Sequence, residues 1–168
     1  MSNKEQGRYR NEARVSELFL YFFVKVMEIE IFTDGAYSPM RDQGGIGLVF
    51  VIDGKKSYEY NKPISKTTNN KCELLAVIFA LKAISKPVDK IKIYTDSQYV
   101  IGCATLGWKR KKNVKYWQAY DKAYECASKL CKDIEFIWVK GHENNDSLFS
   151  TMNNLADRLA VEASHMVI

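Results

Sequence analysis

The sequence predicts an α/β fold: a mixed five-stranded sheet, three antiparallel strands plus two parallel ones, flanked by helices. Apolar and polar residues alternate at 28–33 and again at 90–95, the period of a half-buried strand. The β-branched run from Ile46 to Ile52 ends in Asp53-Gly54, a two-residue hairpin signal that makes the early strands antiparallel. Helical patterns separate the later strands, which calls for right-handed crossovers and parallel pairing.

The elements follow in order. Glu28 to Thr33 is the first strand, stopping at the turn signal Asp34-Gly35. Ile46–Ile52 and Lys55–Tyr60 are the arms of the hairpin. Asn70 and Glu73 have the spacing of a capping box, and Leu74, Leu75, Ile78 and Leu81 form an apolar helical face behind it. Pro87 marks where that helix has ended. Lys90–Thr95 is a strand, and Ser97 opens a short helix. A further helix covers about Tyr116 to Lys129, a strand Ile134 to Val139, and a last helix about Asn153 to Ser164. There is no internal repeat or low-complexity tract.

A chain of 168 residues is one domain by the usual prior and long enough to bury a core. Its hydrophobic content of 46% and charged content of 27% are those of a soluble globular protein. A net charge of +5 suits a polyanionic partner without identifying one. The cysteines at 72, 103, 126 and 131 form no Cys-x-x-Cys pair and only two histidines are available, which argues against a zinc site and a disulfide scaffold. Free thiols in a reducing cytoplasm are the simpler expectation.

Arg8, Arg10 and Arg14 precede a short apolar run from Leu18 to Val24, which mimics a secretion signal. Lys25 ends the run at once, no small-residue cleavage site follows, and the run is far shorter than a membrane span. Residues 1–26 are read as an extension of unknown role, with Met27 as an alternative start, and 27–168 as the folded domain.

Four acidic residues stand out. Asp34 lies in Ile-Phe-Thr-Asp-Gly, Glu73 in Thr-Thr-Asn-Asn-Lys-Cys-Glu-Leu, Asp96 in Ile-Tyr-Thr-Asp-Ser-Gln-Tyr, and Asp157 in Asn-Asn-Leu-Ala-Asp-Arg-Leu-Ala, downstream of Trp-Val-Lys-Gly-His142. Singly, each has a bland explanation. Asp34 and Asp96 suit turns, Glu73 suits a capping box with Asn70, and Asp157, early in a helix, suits the macrodipole. Those explanations are independent and do not predict four such motifs in one chain. Brought together, the four carboxylates are what a pair of Mg²⁺ ions needs to clamp an in-line phosphoryl displacement.

In order and wording these motifs resemble type 1 ribonuclease H, and the resemblance runs from about Glu28 to about Ser164. It implies the ribonuclease H fold and an endoribonuclease that cuts the RNA strand of an RNA–DNA hybrid. Asp34, Glu73, Asp96 and Asp157 would hold two Mg²⁺ ions, with Mn²⁺ as an alternative. Asp34 and Asp96 would share the metals at the ends of adjacent strands, and His142 would aid proton transfer or product release. The loop from Glu143 to Met152 is longer than is usual in the family. Asn69, Asn70 and Gln98 match positions that contact the hybrid in its minor groove, where 2′-hydroxyls are exposed. Lys66, Thr68 and Asn113 match a phosphate pocket for the DNA strand, with Lys66 replacing an arginine of some relatives.

Lys109-Arg110-Lys111-Lys112 and Lys115, with Trp108, Tyr116 and Trp117, form a basic aromatic stretch that could follow a phosphate backbone. The stretch from Asp96 to Trp117 is too short for the longer basic protrusion of many relatives, so the chain resembles the members without it. Two other functions were weighed: a DNA nuclease or integrase on the same fold, and an inactive hybrid-binding module. Thr-Thr-Asn-Asn and Asp-Ser-Gln-Tyr oppose the first, and four intact carboxylates oppose the second. The expected enzyme is a cytoplasmic monomer that uses no membrane.

Overall fold

The computed structural model describes residues 26–140 and 147–168. Strand β1 spans Glu28–Ser38, β2 Gln43–Ile52 and β3 Lys55–Ser65; helix α1 spans Asn69–Lys82, β4 Lys90–Thr95, α2 Gln98–Thr105, α3 Val114–Leu130, β5 Asp133–Trp138 and α4 Leu148–Ser164. The five strands form one sheet in the order β3-β2-β1-β4-β5. β1 pairs antiparallel with β2 and parallel with β4, and β4 pairs parallel with β5. The predicted sheet is therefore the observed one.

At the hairpin tip Asp53 and Gly54 both have positive φ, 50° and 78°, as the tightest two-residue turn requires. The Asp53 carboxylate also accepts from the Glu28 N–H at 3.2 Å, fastening the turn to the start of β1.

One face of the sheet carries Ile31, Ile46, Leu48, Ile91 and Ile93, covered by α1 and α3. The other carries Phe32, Val49, Val51 and Tyr94, covered in part by α4 through Met152, Ala156 and Leu159. Helix α1 lies between the sheet and α3. Cys72, Ala76, Val77 and Ala80 are therefore buried along with Leu74, Ile78 and Leu81, and Leu75 is only half-buried. A helix packed on two sides loses the single apolar stripe that Leu74, Leu75, Ile78 and Leu81 suggested.

Several boundaries moved, and β2 begins at Gln43 rather than Ile46. β1 does not stop at Asp34-Gly35 but continues to Ser38, because β2 pairs with it throughout, with Asp34 opposite Gly47. β3 runs to Ser65 for the same reason. The cap of α1 is Thr68, whose hydroxyl accepts from the Lys71 N–H, so the Asn70–Glu73 capping box is not formed and Glu73 is released from that role. Helix α4 starts at Leu148, capped by the Ser147 hydroxyl on the Ser150 N–H. Asp157 thus lies mid-helix, where the macrodipole gives it no reason to be acidic. Half of the expected loop from Glu143 to Met152 is helix.

Glycines set how close the helices come, Gly35 for α1 and Gly45 with Gly47 for α4. A Cβ on Gly35 would strike the backbone of Cys72 and Glu73 in the first turn of α1. One on Gly47 would strike the Ala156 carbonyl and the Ala160 N–H of α4. Substitution of Gly47 by Ala is predicted to destabilise the protein by about 1–3 kcal/mol through overpacking, read as a lowered denaturant midpoint. A variant as stable as the parent would show that α4 is not seated on β2.

Candidate active site

The parallel pairing of β1 with β4 ends at Phe32 and Tyr94. Beyond that point the two strands part, and Asp34 on β1 and Asp96 just past β4 stand at the opening. The Thr33 hydroxyl donates to the Tyr94 carbonyl at 2.9 Å, closing the last rung beneath them. Because Gly35 admits α1 so closely, the first turns of that helix deliver Glu73 to the same place. One oxygen from each of Asp34, Glu73 and Asp96 can lie within 4.8 Å of the others.

Asp157 approaches from the opposite face of the sheet. Gly47, the partner of Asp34 across β1 and β2, carries the Ala156 carbonyl of α4, so the next residue faces Asp34. Its charge bears on the Asp34 carboxyl and helps to raise the Asp34 pKa. The four acids therefore come together as a tight trio and a fourth group reaching Asp34.

Their electrostatics follow from crowding. Burial, then the charges of Asp96 and Asp157, push the Asp34 pKa up to about 8, against the Gly35 N–H donating to it at 2.7 Å. Burial, then Asp34 and Asp96, hold Glu73 well above the usual carboxylate range, opposed by the Gly35 N–H and the Asn69 side chain. Glu73 is 6% exposed, and its Oε2 has no hydrogen-bond partner among the described residues. A buried carboxylate oxygen without a partner is costly in a folded protein. A hard divalent cation such as Mg²⁺ would supply its missing partner and neutralise the repulsion, and an all-oxygen donor set suits that ion. The residues present fit the metal.

The other predicted site residues separate. Asn69, Asn70 and Gln98 are exposed in the first turns of α1 and α2, beside the trio in sequence and free to face a ligand. Asn69 also reaches Glu73, a link the minor-groove reading did not include. Of the phosphate-pocket residues, Lys66 is exposed in a left-handed turn at φ 46°. The Thr68 hydroxyl is occupied as the α1 cap. Asn113, also left-handed, donates its side-chain amide to the Tyr99 hydroxyl at 3.1 Å. His142 lies outside the described residues.

The basic stretch between α2 and α3 is not uniformly outward. The Arg110 guanidinium stacks 4.3 Å above the ring of Trp117 and pairs with Asp121 at 2.7 Å. Trp117 is core, at 2% exposure. Trp108 leans on Gly102, where a Cβ would meet its ring. Lys109, Lys111 and Lys112 remain exposed.

Sequence reasoning singled out no role for Trp138 beyond its place in Trp-Val-Lys-Gly-His. Its indole N–H donates to the Asp96 carbonyl at 3.1 Å. The only signal for it was its place in that motif, since the contact joins β5 to the junction between β4 and α2.

A mixed sheet whose two central strands part at a carboxylate cluster, flanked by helices of which two add an acid, defines the class of ribonuclease H-like proteins. The ribonuclease H family profile matches residues 27–165, and the chain belongs to that family. The ribonuclease H of Trichodesmium erythraeum is 36% identical over 149 residues, covering 83% of this chain and 90% of that one. The enzyme of the same name from Thermoanaerobacter sp. is 38% identical over 143 residues, covering 80% and 88%. Among solved structures, ribonuclease H1 of the archaeon Halobacterium salinarum superposes with a TM-score of 0.60 at 26% identity, covering 81% of this chain and 96% of that one. The protease–reverse transcriptase of prototype foamy virus superposes with a TM-score of 0.67 at 28% identity, covering 84% of this chain, which spans only 21% of the viral one. LC11-RNase H1, solved in complex with an RNA/DNA hybrid, shares the fold with a TM-score of 0.63 at 22% identity, covering 81% of this chain and 96% of that one. Among the described residues, no helix is long and apolar enough to cross a membrane.

Proposed function

We propose that residues 27–168 form an endonuclease domain that hydrolyses the RNA strand of RNA–DNA hybrids at a site where Asp34, Glu73, Asp96 and Asp157 hold two Mg²⁺ ions. The observation that carries this reading is the convergence of Asp34, Glu73 and Asp96, with a buried Glu73 oxygen that has no partner among the described residues, in a chain of the ribonuclease H family. When bound, paired divalent ions supply a nucleophilic water and stabilise the departing 3′ oxygen.

The chain's own residues do the rest. Asp34 and Asp96 hold the centre of the site from neighbouring strands, Glu73 closes it from α1, and Asp157 extends it from α4. Gly35 keeps its N–H on Asp34 and orients that carboxylate. Asn69, Asn70 and Gln98 offer amides that both donate and accept, as a ribose 2′-hydroxyl requires. Lys66, Thr68 and Asn113 would grip the DNA strand, with Lys66 contributing a point charge rather than a bidentate fork. His142 would assist proton transfer or product release. The enzyme would work in the cytoplasm as a monomer, with Mn²⁺ able to replace Mg²⁺.

Incubation with labelled RNA–DNA hybrid, duplex DNA and duplex RNA, with and without Mg²⁺, tests the reading. Cuts confined to the RNA of the hybrid and dependent on the metal are expected. Cutting of duplex DNA would favour an integrase-type enzyme, and binding without cutting an inactive module.

Two further substitutions separate recognition from chemistry. Gln98→Ala should weaken hybrid binding by about 0.5–1.5 kcal/mol, the net contribution of one neutral hydrogen bond, and leave the pH profile of cleavage alone. Asn69→Ala should weaken binding by a similar amount and also shift the profile, because Asn69 stabilises the ionised form of Glu73. Unchanged hybrid affinity in both variants would remove them from the interface.

A further inference from the structure

We infer that Trp138 is a positioning residue for Asp96, fixing the peptide from which that carboxylate projects. The inference rests on the metal-dependent reading of the site. Asp96 belongs to neither a strand nor a helix; it lies in the junction between β4 and α2. Its direction is therefore set by whatever holds that short stretch of backbone.

Three bonds do so. The Val139 N–H donates to the Thr95 carbonyl at 3.0 Å, continuing the β4–β5 pairing one step beyond Trp138, which stands opposite Thr95. The Ser97 N–H donates to the Thr95 hydroxyl at 3.1 Å. Between them, the Asp96 carbonyl receives the Trp138 indole N–H at 3.1 Å. The first two hold Thr95 and Ser97 on either side, and the third acts on the Asp96 carbonyl itself. Without it, the peptide joining Asp96 to Ser97 loses a restraint on its rotation, and the carboxylate loses part of its preset direction.

The placement of the ring separates this role from packing. Trp138 is 46% exposed at the end of the edge strand β5, so its ring buries less surface than a core tryptophan such as Trp117 at 2%. Its nitrogen nevertheless reaches the Asp96 carbonyl just past the end of β4. Loss of the N–H should therefore be felt in metal affinity more than in folding.

The test is a Mg²⁺ titration of Trp138→Phe, followed both by melting temperature and by hybrid cleavage. Half-maximal stabilisation and half-maximal cleavage should each need about threefold to tenfold more Mg²⁺, the effect of losing one net hydrogen bond. The rate should recover at saturating metal, and KM for the hybrid should match the parent's. Midpoints equal to the parent's would overturn the inference, even if the metal-free melting temperature fell, since that pattern is packing alone. A parent that ignores Mg²⁺ in both readouts would overturn the metal reading instead. Should Trp138→Phe not fold, benzothienylalanine at position 138 replaces the N–H by sulfur and keeps the ring shape, and the same shift in midpoints decides.

Discussion

Asp34→Asn is expected to reduce hybrid cleavage to background while leaving hybrid binding close to that of the parent. Asp34 touches every other acid of the site: Asp96 and Asp157 bear on it directly, and it bears on Glu73. An amide there still accepts the Gly35 N–H, so the local backbone is kept, but it offers a neutral oxygen where a cation needs an anionic one. The recognition proposed for Asn69, Asn70 and Gln98 lies on the helices and would not be removed. Gel-based cleavage and hybrid binding, measured side by side, check the separation. Activity within about tenfold of the parent, worth only about 1.4 kcal/mol of barrier, would sink the role given to Asp34. The same variant should melt higher than the parent without metal, because it removes one member of a repelling set. A lower metal-free melting temperature would mean that the carboxylates do not crowd one another.

Much of this site was legible before any coordinates, and the reason is local chemistry. Asp53-Gly54 dictates its own turn, alternating residues dictate β1 and β4, and the four acids lie in short distinctive motifs. What was not legible came from contacts between distant elements. Asp34-Gly35 reads as a turn, yet pairing with β2 carries the strand straight through it, and Gly35 is there to admit α1. Asn70 and Glu73 have capping-box spacing, yet Thr68 caps the helix and Glu73 is spent on the site. Arg110 reads as part of a basic surface, yet Trp117 and Asp121 draw it inward. The start of α4 was missed by five residues, because Leu148, half-exposed, and Phe149 stand among Ser147, Ser150 and Thr151 and give a weak apolar pattern. Phe149 becomes explicable only with Phe32 and Tyr94, whose rings it meets edge-on at 5.3 and 5.0 Å.

Without metal, the protein should lose stability as pH rises from about 4 to about 8, and Mg²⁺ should reverse that loss. In the folded state Asp34 titrates near 8 and Glu73 well above its ordinary value, whereas both ionise near 3.8 and 4.5 when unfolded. Between those limits the folded site holds protons that the unfolded chain has released. The folded state then binds more protons than the unfolded one, so stability falls with pH at up to about 1.4 kcal/mol per unit for each such group. The contribution is fully present below the unfolded values and is lost as pH passes the folded ones. Mg²⁺ binds the ionised carboxylates, must displace those protons, and so should bind more tightly at pH 8 than at pH 6. Because it binds only the folded state, its effect on the melting temperature should grow over the same interval. Asp34→Asn should flatten both dependences, since it removes the group titrating near 8 and weakens the raised pKa of its neighbour. Thermal melts across pH 5–9, with chelator and with Mg²⁺, measure all of this at once. A metal-free parent that grows more stable through that range, with no response to Mg²⁺, would mean that these acids neither share protons nor hold a cation, and the two-metal reading would fall with them.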